Sequence, residues 1–366
     1  MFSIRRHIGA SRPDKPASSF SKNARPVMKA VLCREPGVLE IVERPSPTAP
    51  AAGWVRLAVS HVGICGTDYH IFEGKHPFLE YPRVMGHEIS ATVLEAGDGV
   101  TIAVGTPVIV NPYLSCGQCI ACRQGKPNCC TNIKVLGVHT DGAFCEEISV
   151  PAENLYAAKG VSLEAAATTE FLAIGAHAVR RSMTGAGARA LVIGAGPIGL
   201  GAAIFSRIAG HEVTLLDTST ERLQMASERF GFTSGIVANE ATAETVREKT
   251  NGDGFDVVFD ATGYGPSMEK AFSFVAHGGA LVLVSVVKDD IRFSDPEFHK
   301  REMMVIGSRN ATRVDFEHVA DSIAKGLVPV DKLITHRTTL ADAPRDLARW
   351  AHEKNGLIKA VISIGG

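Results

Sequence analysis

Apolar and polar residues alternate with a period of two in several short stretches near the start of the chain. Examples are MKAVLCRE from Met28, WVRLAVSHVGI from Trp54, ISATVLEAG from Ile89 and TPVIV from Thr106. Such alternation marks strands with one buried face, and the Gly and Pro residues between them mark turns. A β-rich, barrel-like unit is therefore expected from Met28 to about Val150. The pattern changes after Val161, where SLEAAATTEFLAIGAHAVRRS reads as one helix. From Ala190 onward short apolar runs (ALVI, VTLLD, GIVA, DVVFDATG, GALVLVSVV) alternate with helical stretches. Strand and helix in alternation predict βαβ units around a parallel sheet, so the fold class is α/β with a second, β-rich domain. The segment after about Arg309 is mixed and ends in the strand-like KAVISIGG, which could rejoin the first unit.

Composition changes this picture little. The chain has 366 residues, 45% hydrophobic and 21% charged, enough for two ordinary globular domains. A formal net charge of −1 gives no reason to expect nucleic acid or an anionic membrane as partner. The apolar, uncharged run 190–206 holds four glycines and a proline and reads as a turn motif, not a membrane span. The first 27 residues differ, with six Lys or Arg against one Asp and no apolar stretch of signal-peptide length. They read as a basic, disordered extension or as the product of an upstream start with Met28 the native one. A transit peptide is the third reading, weakened by prolines that oppose an amphipathic helix.

Four of the eight cysteines fall in the pattern Cys116-x2-Cys119-x2-Cys122-x7-Cys130. Two-residue gaps let successive thiolates bend toward one point, and a fourth closes the tetrahedron of a structural zinc site. The intervening loop has almost no apolar residues with which to hold its own shape, which a metal would do. A disulfide-bonded loop or chance clustering is the alternative. Cys129 beside Cys130 leaves the fourth ligand open on spacing alone. Thiols kept available as ligands point to a reducing compartment, the cytoplasm.

A buried strand runs into Leu191-Val-Ile-Gly194-Ala-Gly196-Pro-Ile-Gly199 and then a helix. Gly194 permits the tight turn, Gly196 lets a pyrophosphate approach the helix N-terminus, and Gly199 lets helix and strand pack closely. Pro197 and Ile198 open the helix and count with the glycines as nucleotide-binding positions. The next strand ends in Asp217, eighteen residues past Gly199. A carboxylate there accepts hydrogen bonds from a ribose and repels a 2′-phosphate, which favours NAD over NADP. Arg222 either flanks the adenine or is a solvated helix arginine. Upstream, Ile64-Cys65-Gly66-Thr67-Asp68-x-His70 and Gly86-His87-Glu88 combine thiolate, imidazole and carboxylate. That is the donor set of a catalytic zinc with one open position, although each residue alone also suits a core or surface role.

With these pieces in this order the sequence resembles the zinc-dependent medium-chain dehydrogenases, and within them the sorbitol and threonine dehydrogenase branch. The resemblance implies a GroES-like catalytic domain formed by 28–172 and 310–366, which carries the structural zinc lobe. It also implies a Rossmann NAD-binding domain over 173–309, with one catalytic and one structural zinc per chain. By the same resemblance Cys65 and His87 are catalytic zinc ligands and Glu88 is the acidic residue beside the metal. Glu170, in Ala-Thr-Thr-Glu-Phe-Leu-Ala, is the further carboxylate of the branch, and one of the two glutamates binds only indirectly in some relatives. Cys116, Cys119, Cys122 and Cys130 match the structural lobe, and Thr67 and His70 the proton-relay positions. A homotetramer or homodimer is implied.

The departures from the family pattern are Ala91 for a glycine, Gly105-Thr-Pro-Val108 for Gly-Asp-Arg-Val, and Phe171 for the usual Pro after Glu170. The stretch Phe293-Ser-Asp-Pro-Glu-Phe-His-Lys-Arg-Glu302 with Gly307-Ser-Arg-Asn-Ala-Thr312 resembles bacterial dehydrogenases that oxidise C5 of L-galactonate or L-gulonate. Arg309 would then face the carboxylate, unless it packs at an interface. The expected activity is hydride transfer from a sugar-acid secondary alcohol to NAD. A polyol or L-threonine dehydrogenase would share the same zinc and relay residues. A nucleotide-binding regulator would need no relay.

Overall fold

The computed structural model describes residues 26–75 and 79–365, so most of the basic extension lies outside the described residues. The alternating segments do form strands. Trp54–Ile64 is the hub of a seven-stranded sheet, pairing antiparallel with Glu88–Ala96, Glu147–Pro151 and Lys359–Ser363. Val55, Leu57 and Val59 point inward with polar or half-buried neighbours between them. The register slips between Val59 and His61, and beyond it Val62, Gly63 and Ile64 are all buried. A strand end covered on both faces delivers the next residue, Cys65, to a half-buried position at the edge of the core. The C-terminal strands Ile334–Thr339 and Lys359–Ser363 complete this sheet beside Trp54–Ile64.

The second sheet is six-stranded and parallel throughout. Its order is Gly235–Val237, Glu212–Asp217, Arg189–Ile193, Phe255–Asp260, Val275–Leu283, Met304–Gly307. Numbered along the chain this is 3-2-1-4-5-6, the doubly wound dinucleotide-binding arrangement. Helices cover both faces, so Leu191, Val192, Val257 and Val258 are fully buried whichever way they point.

One helix was expected across SLEAAATTEFLAIGAHAVRRS, but two form, Leu163–Ala166 and Thr169–Ser182. The break falls at Ala167 and Thr168, where the Thr168 hydroxyl donates to the Ala165 carbonyl at 2.7 Å and closes the first turn early. Restarting at Thr169 puts Glu170 in the first turn of the long helix, where the helix dipole favours a carboxylate. That helix joins the two halves. One apolar cluster runs from Ile109, Tyr113 and Tyr156 through Phe171 and Leu172 to Val192 and Leu200. The shared core fixes the two sheets relative to each other and the cleft between them. No helix among the described residues is long and apolar enough to cross a membrane.

Candidate active site and metal centres

Cys65 caps the helix Gly66–Phe72 in an extended conformation (φ −99°, ψ 163°). Its amide donates to Asp68 Oδ2 at 2.8 Å, which locks the turn. Thr67 Oγ1 lies 3.9 Å from the Cys65 sulfur, and His70, three residues on and exposed, shares that face of the helix. His87 and Glu88 arrive on the neighbouring strand, and the donor atoms of Cys65, His87 and Glu88 all lie within 4.8 Å of one another. His87 is hydrogen-bonded to Cys65, and its buried Nδ1 stands 3.8 Å from Asp68 Oδ1 without a hydrogen-bond partner among the described residues. Glu170 is buried beside this group. Its Oε1 accepts from the Tyr113 hydroxyl, and its Oε2 is buried without a partner among the described residues.

The electrostatics are those of a cluster able to hold a cation. Burial works against a charged His87, yet Asp68, the Cys65 sulfur and Glu170 together hold its pKa well above the usual imidazole value. Burial pushes the Asp68 carboxyl up. It pushes Glu170 up to about 7, His87 opposing and Glu88 adding to the rise. Three carboxylates and a thiol are thus crowded beside two buried groups that can carry positive charge, His87 and Lys359. Soft and hard donors around an orphaned carboxylate oxygen and an orphaned imidazole nitrogen fit a divalent zinc.

Lys359 is one residue that sequence reasoning missed. Its Nζ donates to both oxygens of Glu88, at 2.7 and 2.9 Å, and to the Ile64 carbonyl at 3.2 Å. It also sits 4.2 Å from the centroid of the Phe171 ring. Glu88 therefore belongs to two sets, the metal-ligand cluster and a buried ion pair. Phe171, where a Pro is usual, is fully buried and forms the floor under that ammonium. A lysine near the C-terminus carries no local signal, because its partner is 271 positions away.

The second cluster unites Cys116, Cys119, Cys122 and Cys130, again within 4.8 Å. The loop holds more structure than expected, a helical turn Ile120–Arg123 and a 3-10 turn Pro127–Cys129. Backbone amides aim at the sulfurs. Cys116 and Asn132 N–H groups donate to Cys130 Sγ at 3.3 and 3.4 Å. Those of Cys122 and Thr131 draw the Cys119 thiol down to about 5. Cys130 is buried and Cys129 exposed, which separates the two candidates for the fourth position. None of the eight cysteines is in a disulfide.

Between Pro127 and Cys130, Asn128 does a different job. It is buried, with Nδ2 2.9 Å from the Arg309 carbonyl and 3.3 Å from His177 Nε2. His177 Nδ1 in turn meets Asp315 Oδ2 at 2.9 Å, and Asp315 also pairs with Arg180. The cysteine lobe is thereby pinned to the long helix and to the loop of Arg309, whose side chain is exposed. Asn128→Ala should cost about 1–3 kcal/mol by leaving these buried groups unpaired. Denaturant unfolding would show it, with the metal content of the lobe unchanged.

On the parallel sheet, a cavity of about 520 Å³ opens at the strand ends and is lined by Gly194, Gly196, Asp217, Arg222 and Thr262 among others. Gly196 caps the helix Pro197–Ile208, with Pro197 in its first turn and Ile198 partly buried against the core. A side chain at Gly199 would put its Cβ 1.7 Å from the Gly194 carbonyl oxygen, so only glycine fits. Asp217 accepts from the Ala195 amide at 2.7 Å and the Ser219 amide at 2.8 Å, with Arg222 3.8 Å away. A second carboxylate, Asp260, went unnoticed in the sequence. It is fully buried and bonded to Thr262 and Ser267, which line the same cavity. The volume, the free helix N-terminus and the carboxylate at the second strand fit a dinucleotide.

A doubly wound nucleotide domain joined to a β-rich domain with two zinc-type donor sets defines a zinc-dependent dehydrogenase. The known families agree: residues 51–160 match the alcohol dehydrogenase GroES-like domain and residues 197–325 the zinc-binding dehydrogenase domain. The chain is 40% identical over 337 residues to L-galactonate-5-dehydrogenase of Escherichia coli (strain K12), covering 92% of this chain and 99% of that one. It is 31% identical to sorbitol dehydrogenase of Halalkalibacterium halodurans, covering 92% and 99% of the two chains. Among solved structures, rspB of E. coli CFT073, a short chain alcohol dehydrogenase in complex with NADH, superimposes with a TM-score of 0.86. It is 32% identical, with 92% of this chain and 99% of that one covered. The chain belongs to the zinc-binding alcohol dehydrogenase family and is an oxidoreductase.

Proposed function

We infer that this protein oxidises a secondary alcohol of a sugar acid, L-galactonate or L-gulonate at C5, to the ketone with NAD as acceptor. The observation that carries the reading is the convergence of Cys65, His87 and Glu88 at the interior end of one strand pair, beside the nucleotide domain. Cys65, His87 and Glu88, with Glu170 at their edge, would hold the catalytic zinc, and Cys116, Cys119, Cys122 and Cys130 the structural one. Gly194, Gly196, Pro197, Ile198, Gly199, Asp217 and Arg222 would cradle the dinucleotide. Bound there, zinc supplies Lewis acidity that favours ionisation of an alcohol, and NAD supplies the hydride acceptor.

The chain's own residues manage position and the proton. Thr67, beside Cys65, would accept the hydroxyl proton while releasing its own toward His70, which lies one helical turn on and open to water. Tyr113 holds one oxygen of Glu170 and leaves the other buried and unpaired among the described residues. Arg309 would face the substrate carboxylate. The similarity to the E. coli L-galactonate dehydrogenase favours a sugar acid, and that to sorbitol dehydrogenase keeps a polyol as the second reading. The same reading divides the chain into 28–172 with 310–366 and 173–309. It also places the enzyme in the reducing cytoplasm as a homo-oligomer, tetramer or dimer.

NADH formation with L-galactonate, L-gulonate, sorbitol and L-threonine, with and without a zinc chelator, tests the reading. Chelator-sensitive turnover of an aldonate is expected; turnover of sorbitol or threonine alone would discard the substrate while keeping the chemistry. Cofactor choice has its own test. Asp217→Ser should shift kcat/KM toward NADP by about tenfold or more, since it removes a charge facing the 2′-phosphate and frees Arg222. An unchanged preference would remove Asp217 from the ribose site.

A further inference from the structure

A second cavity, of about 390 Å³, lies beside the metal-ligand strand and is lined by Glu80, Arg83, Asn132, Lys134, Val138 and His139 among others. Two segments build it. The short strand Arg83–Val84 runs directly into Gly86 and His87. The turn from Lys134 to His139 doubles back at Gly137, which packs so tightly on Gly86 that a Cβ there would lie 2.7 Å from the Gly86 nitrogen. Gly142 and Ala143 then donate to the Val84 and Gly86 carbonyls at 2.7 and 3.0 Å. The cavity wall and the strand that presents His87 are one hydrogen-bonded unit.

The charge in this cavity is unbalanced. Arg83 and Lys134 line it, and Arg309, on the loop that Asn128 holds, adds its charge to the field at His139. Burial first, and then Arg309, Arg83 and Lys134 in that order, press the His139 ring below its usual value. On the acidic side, Glu80 lies on the lining. Asp141 is 3.5 Å from Arg83 but already bonded to Arg44 at 2.7 Å and to the Val84 amide. Arg83 Nε is buried and finds no partner among the described residues. His139 Nδ1 accepts from the Val135 amide at 3.1 Å, which leaves the proton on Nε2 as a donor.

We propose that this cavity is the subsite for the carboxylate of the substrate, with Arg83, Lys134 and Arg309 providing the charge and His139 a hydrogen bond. The proposal rests on the dehydrogenase reading above and deepens it, by naming an anionic polyhydroxylated substrate as the class the enzyme selects. In an aldonate oxidised at C5 the carboxylate is several bonds from the reacting carbinol. The cationic groups must then stand away from the metal, where the carboxylate cannot compete for it. A guanidinium, an ammonium and an imidazole N–H supply the charge-assisted hydrogen bonds that a carboxylate takes and a primary alcohol does not.

The test compares L-gulonate with sorbitol, which is the same chain with the carboxylate reduced to an alcohol. In the zinc-loaded enzyme with NAD, Lys134→Ala should lower the ratio of kcat/KM for L-gulonate over sorbitol by about tenfold, mainly through KM, and Lys134→Arg should recover most of it. The Lys134 side chain is exposed on the short strand Lys134–Val135, so the variant keeps the fold; Arg309→Ala should act in the same direction. A ratio unchanged in both alanine variants, with L-gulonate still oxidised, overturns the subsite and leaves the function standing. If the wild type oxidises sorbitol but no aldonate, the sugar-acid function falls and inhibition decides the cavity. Competitive inhibition by L-gulonate that Lys134→Ala relieves upholds it, and no inhibition overturns it. If no alcohol is oxidised, calorimetric titration of the zinc- and NADH-loaded protein with L-gulonate decides in the same way.

Discussion

Cys65→Ser is expected to remove one of two bound zincs and lower turnover by about a thousandfold or more, while the melting temperature stays close to that of the parent. The reason lies in where Cys65 sits. It caps a helix whose turn is held by the Asp68 carboxylate on the Cys65 amide, a contact that serine keeps. The local fold therefore survives loss of the thiolate, but the donor set shared with His87 and Glu88 does not. Losing several kcal/mol of charge stabilisation at the reacting oxygen corresponds to at least three decades in rate. Cys130→Ser should do the reverse. The Cys130 sulfur is buried and collects two backbone amides, and the lobe around it has few apolar contacts of its own. Removing that ligand should lower the melting temperature by several degrees and loosen the Asn128 link to the Arg309 loop, with activity falling as a consequence. Metal content, circular dichroism and initial rates on the two variants separate these outcomes. Equal loss of folded protein in both would sink the division of labour between the clusters.

Lys359→Met is expected to have the largest effect on stability of any single change away from the zinc lobe. Lys359 and Glu88 are 2% and 0% exposed, and removing the ammonium strands a carboxylate that burial had paired on both oxygens. Breaking one half of such a buried pair costs about 3–5 kcal/mol. Adding Glu88→Gln should recover part of that loss, because the stranded charge disappears with it. Zinc sharpens the test: a divalent cation in the cluster compensates Glu88 in place of Lys359, so the penalty should be smaller in the zinc-loaded protein than in the chelated one. Urea unfolding of the four proteins of the cycle, with and without zinc, measures all of this. A penalty below about 1 kcal/mol in the chelated protein would show that water, not Lys359, balances Glu88 there.

Much was legible along the chain because its signals are local. Two-residue cysteine gaps can only fold back on themselves, and the four sulfurs do converge. A glycine spacing that opens a helix leaves no other geometry, as the collision a side chain at Gly199 would suffer with Gly194 shows. Strand alternation read correctly even through the slip at His61, since one buried face imposes its own period. The helical pattern after Val161 misled because periodicity is blind to a hydroxyl that closes a turn. Thr168 splits that helix and thereby sets the position of Glu170.

By itself, then, the sequence determined the two sheets, the nucleotide turn and the gathering of thiols into a lobe, all consequences of spacing within a few turns of chain, while burial in the fold separated Cys130 from Cys129. Only the tertiary structure decided how the charges are shared among them. Lys359 reaches Glu88 across 271 residues, Asn128 reaches Arg309 across 181, and Arg83 and Lys134 meet over one cavity because Gly137 packs on Gly86. Such pairings follow from packing two domains against a shared helix and from the low dielectric this creates. There a charge is stabilised by whichever group the fold brings near, however distant it lies along the chain.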